Sequence, residues 1–556
     1  MSILGKKWIV LDQKPGKSLL ESLLLSRGIQ DQKTFLEPNF ERDLHDPALL
    51  KDMDRAVTRI KSALEKKEKI VVVGDYDMDG ISATALLVDF LSNKLGANVT
   101  YRLPNRLTEG YGLNQEMVNE AIKGNIQLVI TVDNGISCVT EIASLKAAGI
   151  DTIITDHHAI PASLPPGFAI IHPLVSPNYP FKELSGVGVA YKLVQALAHD
   201  LLSKEAAESH LKWALDLVAL GTVADCMTLQ GENRVLTKFG LQVLAKTKRK
   251  GLQALLELSN QNGYAMNVET ISFRIAPRLN AAGRLKDASL AVELLLCEDE
   301  KKALEIASAL EKLNSERQVL TEKLCSVAEQ QLGDLAHCKI IIAKHPEFHA
   351  GVVGLVAGRL AEKYALPTII LEEGNELFTA SCRSPEGFNM INAITSQALL
   401  LDRFGGHAQA AGFTVLPENF ADLKQKLEAL ADSLLADKDL TSALQIDAEL
   451  NPADLSLDIA RELEDLAPFG IGNPKPLFLL KNLELLRVKS VGDGKHLKLN
   501  LRQDSKSLDG IGFRLGDHAL SLGSGMRVDV VGHLEQNHWN GNTSLQLQIL
   551  DLAVRD

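Results

Sequence analysis

The chain has 556 residues, 46% of them hydrophobic and 23% charged, with six cysteines and a formal net charge of −12 at pH 7. It is too long for one core, so three or four domains are expected. The balance excludes a disordered or collagen-like chain, and no apolar stretch reaches the roughly 18 residues a membrane helix needs.

The cysteines (138, 226, 297, 325, 338 and 382) are scattered without CxxC spacing. Neither a disulfide framework nor a zinc knuckle is indicated, and a reduced, cytoplasmic compartment fits. The opening "MSILGKKWIVLDQ" lacks the long apolar stretch of a signal peptide. The acidic balance argues against a nucleic-acid partner, because phosphate contacts need Lys and Arg. A carboxylate-rich metal site would itself add negative charge, however, and basic patches can be local.

In chain order, residues 1–50 form a mixed segment with helical patterning at 17–26. From 69 apolar strands alternate with amphipathic helices: "KIVVVGD" (69–75), a helix over 81–97, "QLVITVD" (127–133), a helix over 138–149, "DTIITDHH" (151–158) and "FAIIHP" (168–173). This alternation predicts βαβ units and a parallel sheet covered on both faces. Residues 190–330 read as mostly helical, and 299–330, without Gly or Pro, as a connecting helix. A second α/β unit follows from "CKIIIAK" (338–344). After about 440, short alternating runs separated by Gly, Asp and Asn predict a small β-barrel. The expected architecture is α/β: two α/β domains joined by a long helix, then an OB-like barrel. The expected boundaries are 1–50, 51–235 (catalytic), 236–335 (helical), 336–440 and 441–556.

Three predicted strands end in acidic or imidazole residues: Asp75, Asp77 and Asp79 in "GDYDMDG", then Asp133 in "TVDNG", then Asp156, His157 and His158 in "TDHH". Strand carboxyl ends in a parallel sheet share one edge, where ligands bind. So many buried charges need a counter-charge, and carboxylates with imidazoles suit Mn²⁺ or Mg²⁺. A cluster this acidic suggests two ions, the arrangement used in phosphoryl displacement. Each piece alone has a plainer reading: a solvated or calcium loop for the aspartate triplet, a turn residue for Asp133, a helix cap for Asp156. Three such pieces at strand ends of one unit make coincidence improbable.

These motifs, followed by "GTVADCM" (221–227) and "GGHAQAAGF" (405–413), resemble the DHH phosphoesterase superfamily with its accessory DHHA1 domain. "APRLNAAGR" (276–284), "LNSERQ" (313–318), "APFGIGNPKPLF" (467–478) and the terminal barrel narrow the likeness to its single-strand-specific 5′→3′ exonuclease branch. The resemblance implies release of 5′ mononucleotides from single-stranded DNA in repair and recombination. It implies two divalent ions held by Asp77, Asp79, Asp133, His157 and Asp225, with Asp75 a ligand or close supporter. His158 would lie near the nucleophilic water or scissile phosphate, and Asp156 would orient an imidazole. Some relatives carry His where this chain has Val73, which weakens one ion's hold or leaves Asp75 to substitute. His407, presented by Gly405 and Gly406, would meet the scissile phosphate. Arg278, Arg284, Ser381 and Arg383, with Arg106, resemble a pocket for a terminal 5′ phosphate.

In the barrel, Lys481, Arg487, Lys489, Lys495, Lys498 and Arg502 are candidate DNA contacts, with His538 and Trp539 as possible stacking platforms. A buried Trp539 is equally compatible. "KTKRK" (246–250) is a further basic patch. Rival functions are a small-substrate phosphodiesterase acting on oligoribonucleotides or cyclic dinucleotides, and a non-catalytic DNA-binding scaffold. The barrel disfavours the first, and the intact acidic set the second. The family further implies single-strand-binding protein and a RecQ-type helicase as partners; a monomer is expected.

Overall fold

A computed structural model describes residues 2–11, 17–259, 266–333, 338–374, 376–436, 443–539 and 542–555. They form two compact units: residues 39–438, and residues 1–38 together with 439–556.

The larger unit contains both predicted α/β sheets. In the first, five parallel strands run in the order Asn98–Arg102, Lys69–Val73, Leu128–Val132, Asp151–Thr155, Ala169–Ile171. The strand Leu128–Val132 is buried at every position, as expected of a central strand with helices on both faces. The strand Asn98–Arg102 escapes the sequence reading because its burial alternates weakly and it lies at the sheet edge. Helices Met78–Asp89, Gly186–Leu201 and Leu215–Ala224 pack into one core with the sheet. Met117, Val118, Ile142 and Leu145 form a second core with the sheet residues Val73, Val129 and Ile154.

Deep in the larger core Lys192 and Glu232, both fully buried, pair at 2.6 Å. Glu232 also accepts from the Tyr179 hydroxyl, and Lys192 donates to the His45 carbonyl at 2.7 Å. The connecting helix is present as Glu300–Gln331, 32 residues long. It leads to a mixed five-stranded sheet, Leu401–Gly406, Ala410–Val415, Phe378–Arg383, Thr368–Glu373, Ile341–His345. "GGHAQAAGF" proves to be a β-hairpin in that sheet.

In the other unit, strands Phe478–Val491, His496–Gln503, Lys506–Gly512, Asn542–Val554 and Arg527–Trp539 close into a barrel by pairing of the first with the last. Residues 1–38 belong to this unit. Lys7–Val10 pairs in parallel with Ala443–Ile446, and Leu23, Leu24, Ile29 and Phe35 join Leu463, Phe478 and Leu480 in its core. "GIGNP" is organised around buried Asn473, which donates to the carbonyls of Leu466 and Pro468 at 2.7 and 2.9 Å and accepts from Arg27 at 2.5 Å.

Candidate active site

The strand Lys69–Val73 ends one residue before a tight turn. Asp77 then caps the helix Met78–Asp89, its Oδ1 accepting from the amides of Asp79 and Gly80 at 3.0 and 3.2 Å. Gly80 is required there, since a Cβ would lie 2.6 Å from the Asp75 nitrogen. Asp79 points into the molecule: its carboxylate takes the amides of Gly186 and Val187 at 2.6 and 2.9 Å, at the start of the Gly186–Leu201 helix, whose dipole favours an anion. Asp133 follows the central strand in a left-handed conformation, φ 61°. Asp225 closes the Leu215–Ala224 helix.

These residues converge on His157. Its Nε2 lies 3.2 Å from Asp133 Oδ1, 3.7 Å from Asp225 Oδ2 and 3.9 Å from Asp79 Oδ2. The Asp133 contact is close but misaligned for a hydrogen bond. Both Asp133 Oδ1 and His157 Nε2 are buried without a hydrogen-bond partner among the described residues, as is Asp75 Oδ1. Burial, then repulsion from neighbouring carboxylates, pushes Asp79 and Asp133 well above the usual carboxylate range, and Asp225 up to about 7. Burial, with His158 beside it, pushes His157 down to about 4, so the ring is neutral and free to ligate. The nearby Leu184 backbone opposes this shift but does not outweigh burial.

Two donor groups emerge, Asp79–His157–Asp225 and Asp133–His157–His158, each with ligand atoms within 4.8 Å of one another. Crowded carboxylates, a neutral imidazole and unpartnered buried atoms suit one or two hard divalent cations. Two glycines keep that space open. A Cβ on Gly186 would lie 2.3 Å from Asp133 Oδ1, and one on Gly221 would lie 2.4 Å from Asp79 Oδ1.

Asp156 faces elsewhere. It accepts from the amides of Ile136, His157 and His158 at 2.9, 2.7 and 3.2 Å and from His158 Nδ1 at 2.7 Å. Burial opposes its charge, but these bonds hold it down at about 2. Burial likewise disfavours charge on His158, yet the bond to Asp156 and the nearby carboxylates outweigh it and raise the ring to about 9. Tyr111 completes this arrangement, its hydroxyl donating to the Asp133 carbonyl at 2.8 Å and lying 3.1 Å from His158 Nδ1. Tyr111 was missed in the sequence because a lone tyrosine in a Gly-rich turn carries no signal of its own.

Arginines gather beside the aspartates. The Arg106 guanidinium stacks on Tyr76, 5.0 Å from its centroid. The Ala276–Leu285 helix approaches so closely that a Cβ on Gly283 would lie 2.7 Å from the Tyr76 carbonyl. Arg284, at its end, donates to the Gly351 carbonyl at 3.2 Å. Burial and then the guanidinium groups of Arg106, Arg317 and Arg383 push it down to about 9. Arg383 bonds Ser381 Oγ at 3.3 Å, and both face Gly354, where a Cβ would lie 2.9 Å from Ser381 Oγ.

Arg317, from "LNSERQ", is a member the sequence reading did not single out; its Nε is buried without a partner among the described residues. Arg278 instead pairs with Glu311 on the connecting helix. Gly405, Gly406 and His407 lie exposed at the hairpin turn. That turn adjoins the Arg383 end of its neighbouring strand, Ser384 donating to the Gln409 carbonyl at 2.9 Å. No hydrogen bond or ion pair among the described residues joins His407 to the aspartate cluster.

On the barrel, Lys489 stands directly opposite Lys498, a like-charge pairing that is unfavourable without an anion between the two. Lys481 and Arg502 are instead paired with Glu449 and Glu484, at 2.7 and 2.9 Å. Phe513, 53% exposed and edge-on to His496 at 5.3 Å, is an exposed aromatic that the sequence around it does not single out. The side chains of His538 and Trp539 lie outside the described residues.

Family models match residues 69–222 (DHH family, N-terminal domain), 337–433 (DHHA1 domain) and 446–551 (RecJ OB domain). The single-stranded-DNA-specific exonuclease RecJ of Escherichia coli K12 is 36% identical over 554 residues, spanning 96% of this chain and 95% of that protein. The chain belongs to the RecJ family. The RecJ of Bacillus subtilis is 38% identical over 549 residues, spanning 97% of this chain and 68% of that protein. The crystal structure of Thermus thermophilus RecJ with Mn²⁺ matches with a TM-score of 0.85 at 33% identity, over 99% of this chain and 80% of that one. The RecJ structure with Mg²⁺ from the same source matches at 0.79.

Proposed function

We propose that this RecJ-family chain is a metal-dependent exonuclease that degrades single-stranded DNA from its 5′ end to 5′ mononucleotides, in DNA repair and recombination. The observation that carries the reading is the convergence of Asp79, Asp133 and Asp225 on His157, with buried ligand atoms left unpartnered. Asp75, Asp77, Asp79, Asp133, His157 and Asp225 would hold two divalent ions, Mn²⁺ or Mg²⁺. Bound there, the ions supply Lewis acidity and neutralise charge during hydrolysis of a phosphodiester.

The protein's own groups do the positioning. Asp156 and Tyr111 fix the His158 ring beside Asp133, so that it hydrogen-bonds the scissile phosphate. Arg106, Arg284, Ser381 and Arg383 receive the terminal 5′ phosphate, since guanidinium forks match a phosphate monoester. An anchored end restricts hydrolysis to the nucleotide next to it, which sets polarity. His407 contributes from the hairpin turn. Lys489, Lys498 and Phe513 hold the strand by charge and stacking.

Single-strand-binding protein and a RecQ-type helicase are the partners this role calls for, acting with a monomer in the cytoplasm. No helix of the described residues is long and apolar enough to cross a membrane.

The test is a time course on single-stranded DNA labelled at either end, with Mn²⁺, Mg²⁺ or EDTA, and with Asp133→Ala alongside. Mononucleotides appear first from the 5′ end and are absent with EDTA and in the variant. Cleavage of short oligoribonucleotides alone would favour a small-substrate phosphodiesterase, and binding without cleavage a scaffold.

A further inference from the structure

A cavity of about 660 Å³ opens in the larger unit where the Met78–Asp89 helix ends. At 1.5 Å per residue this is about 18 Å along the helix axis from Asp77, so it is separate from the aspartate cluster. Its size is that of small-molecule sites. Part of its wall is apolar, from Leu202, Leu295 and Leu296.

The charges in that wall neutralise one another. Arg249 bridges Asp89 at 3.0 Å and Asp216 at 3.4 Å, and Asp216 also accepts from the Thr247 hydroxyl at 2.7 Å. Lys250 is paired with Glu300. Lys94 and Lys248 are exposed and share the lining with Glu298.

The "KTKRK" cluster therefore divides its work: Arg249 holds the wall together, while Lys248 lies on an aromatic face. The Lys248 ammonium is 3.8 Å from the ring centroid of Trp213, which is 36% exposed. In a chain of net charge −12, an exposed lysine and an indole together at a cavity suit a phosphate and a flat base, the base taking the ring face that the ammonium covers and the ammonium swinging onto the phosphate. The His210 ring lines the cavity too, but its Nε2 is closed off from that space, buried without a hydrogen-bond partner among the described residues. Burial pushes this ring down to about 4, so at neutral pH it adds no charge to the wall.

We propose that this cavity is a second binding site, for a nucleoside phosphate, with the base against Trp213 and the phosphate on Lys94 and Lys248. The ligand is either a free 5′ mononucleotide or one nucleotide of a bound strand; the recognising chemistry is the same.

The test is equilibrium dialysis of the full-length, Mn²⁺-loaded protein against radiolabelled dAMP and dTMP. The expected stoichiometry is one nucleotide per chain more for the parent than for Trp213→Leu, and likewise more than for the surface double variant Lys94→Glu/Lys248→Glu. Melting temperatures check that each variant is folded. Equal stoichiometry in the parent and the folded double variant would overturn the proposal, whatever happens to cleavage. A chase with a phosphorothioate-protected 20-mer separates the sources. Displacement of the extra nucleotide assigns the site to a strand, and retention assigns it to free mononucleotide.

Discussion

Asp133 Oδ1 and His157 Nε2 lie 3.2 Å apart, both buried and neither hydrogen-bonded among the described residues. Such a pair is costly by itself, and the proposed cation would complete it. Space at this point is controlled by Gly186, where a Cβ would come within 2.3 Å of Asp133 Oδ1. Gly186→Ala is expected to displace the carboxylate and weaken Mn²⁺ binding by about 10–100-fold, the size seen when groups that orient metal ligands are disturbed. Calorimetric titration with Mn²⁺ measures this; unchanged affinity would show that the carboxylate is not a ligand.

Asp156 acts through its neighbours. Asp156→Asn keeps the size but changes what His158 Nδ1 and three amides meet. Exonuclease turnover is expected to fall by about 10–100-fold, with metal affinity reduced less than in Asp133→Ala. The comparison of kcat with the Mn²⁺ dissociation constant separates the two effects.

The Lys192–Glu232 pair is fully buried. Lys192→Met would leave Glu232 without its cation and is expected to cost about 3–5 kcal/mol, read from urea unfolding. Replacing both residues with apolar ones is expected to cost much less, because no charge is then stranded.

His210 predicts a pH dependence of stability. Its pKa is about 4 in the folded state because of burial, against an ordinary value of 6.5. Between these values the unfolded chain binds more protons, so stability falls as pH drops from 6.5 towards 4 and is insensitive to this residue above that window. The urea midpoint of His210→Phe is expected to fall less steeply than that of the parent between pH 7.5 and 5. Parallel curves would show that His210 charges freely in the fold.

Residues 1–38 are expected to be indispensable to the barrel unit. Leu23, Leu24, Ile29 and Phe35 are all buried in its core. At roughly 1.5–3 kcal/mol each they supply about 6–12 kcal/mol, comparable to the whole stability of a domain. A chain lacking residues 1–38 is expected to show rapid proteolysis within 443–555, whereas the larger unit stays resistant.

The α/β alternation, the long helix, the barrel and a row of acidic residues at strand ends were legible in the sequence. Strand and helix periodicities are local, and strand ends of a parallel sheet must share one edge, so Asp77, Asp133 and His157 could be brought together on paper. Contacts between residues far apart in the chain were not legible there. Asp79 is held by the amides of Gly186 and Val187, more than a hundred positions away, and Gly186 and Gly221 matter only because carboxylates press against them. Arg278 and Arg284 look alike in "APRLNAAGR", yet one pairs with Glu311 and the other joins the arginine cluster. The N-terminal segment, read as a separate piece, closes the core of the C-terminal unit, because an amphipathic helix declares that it must bury a face but not against what.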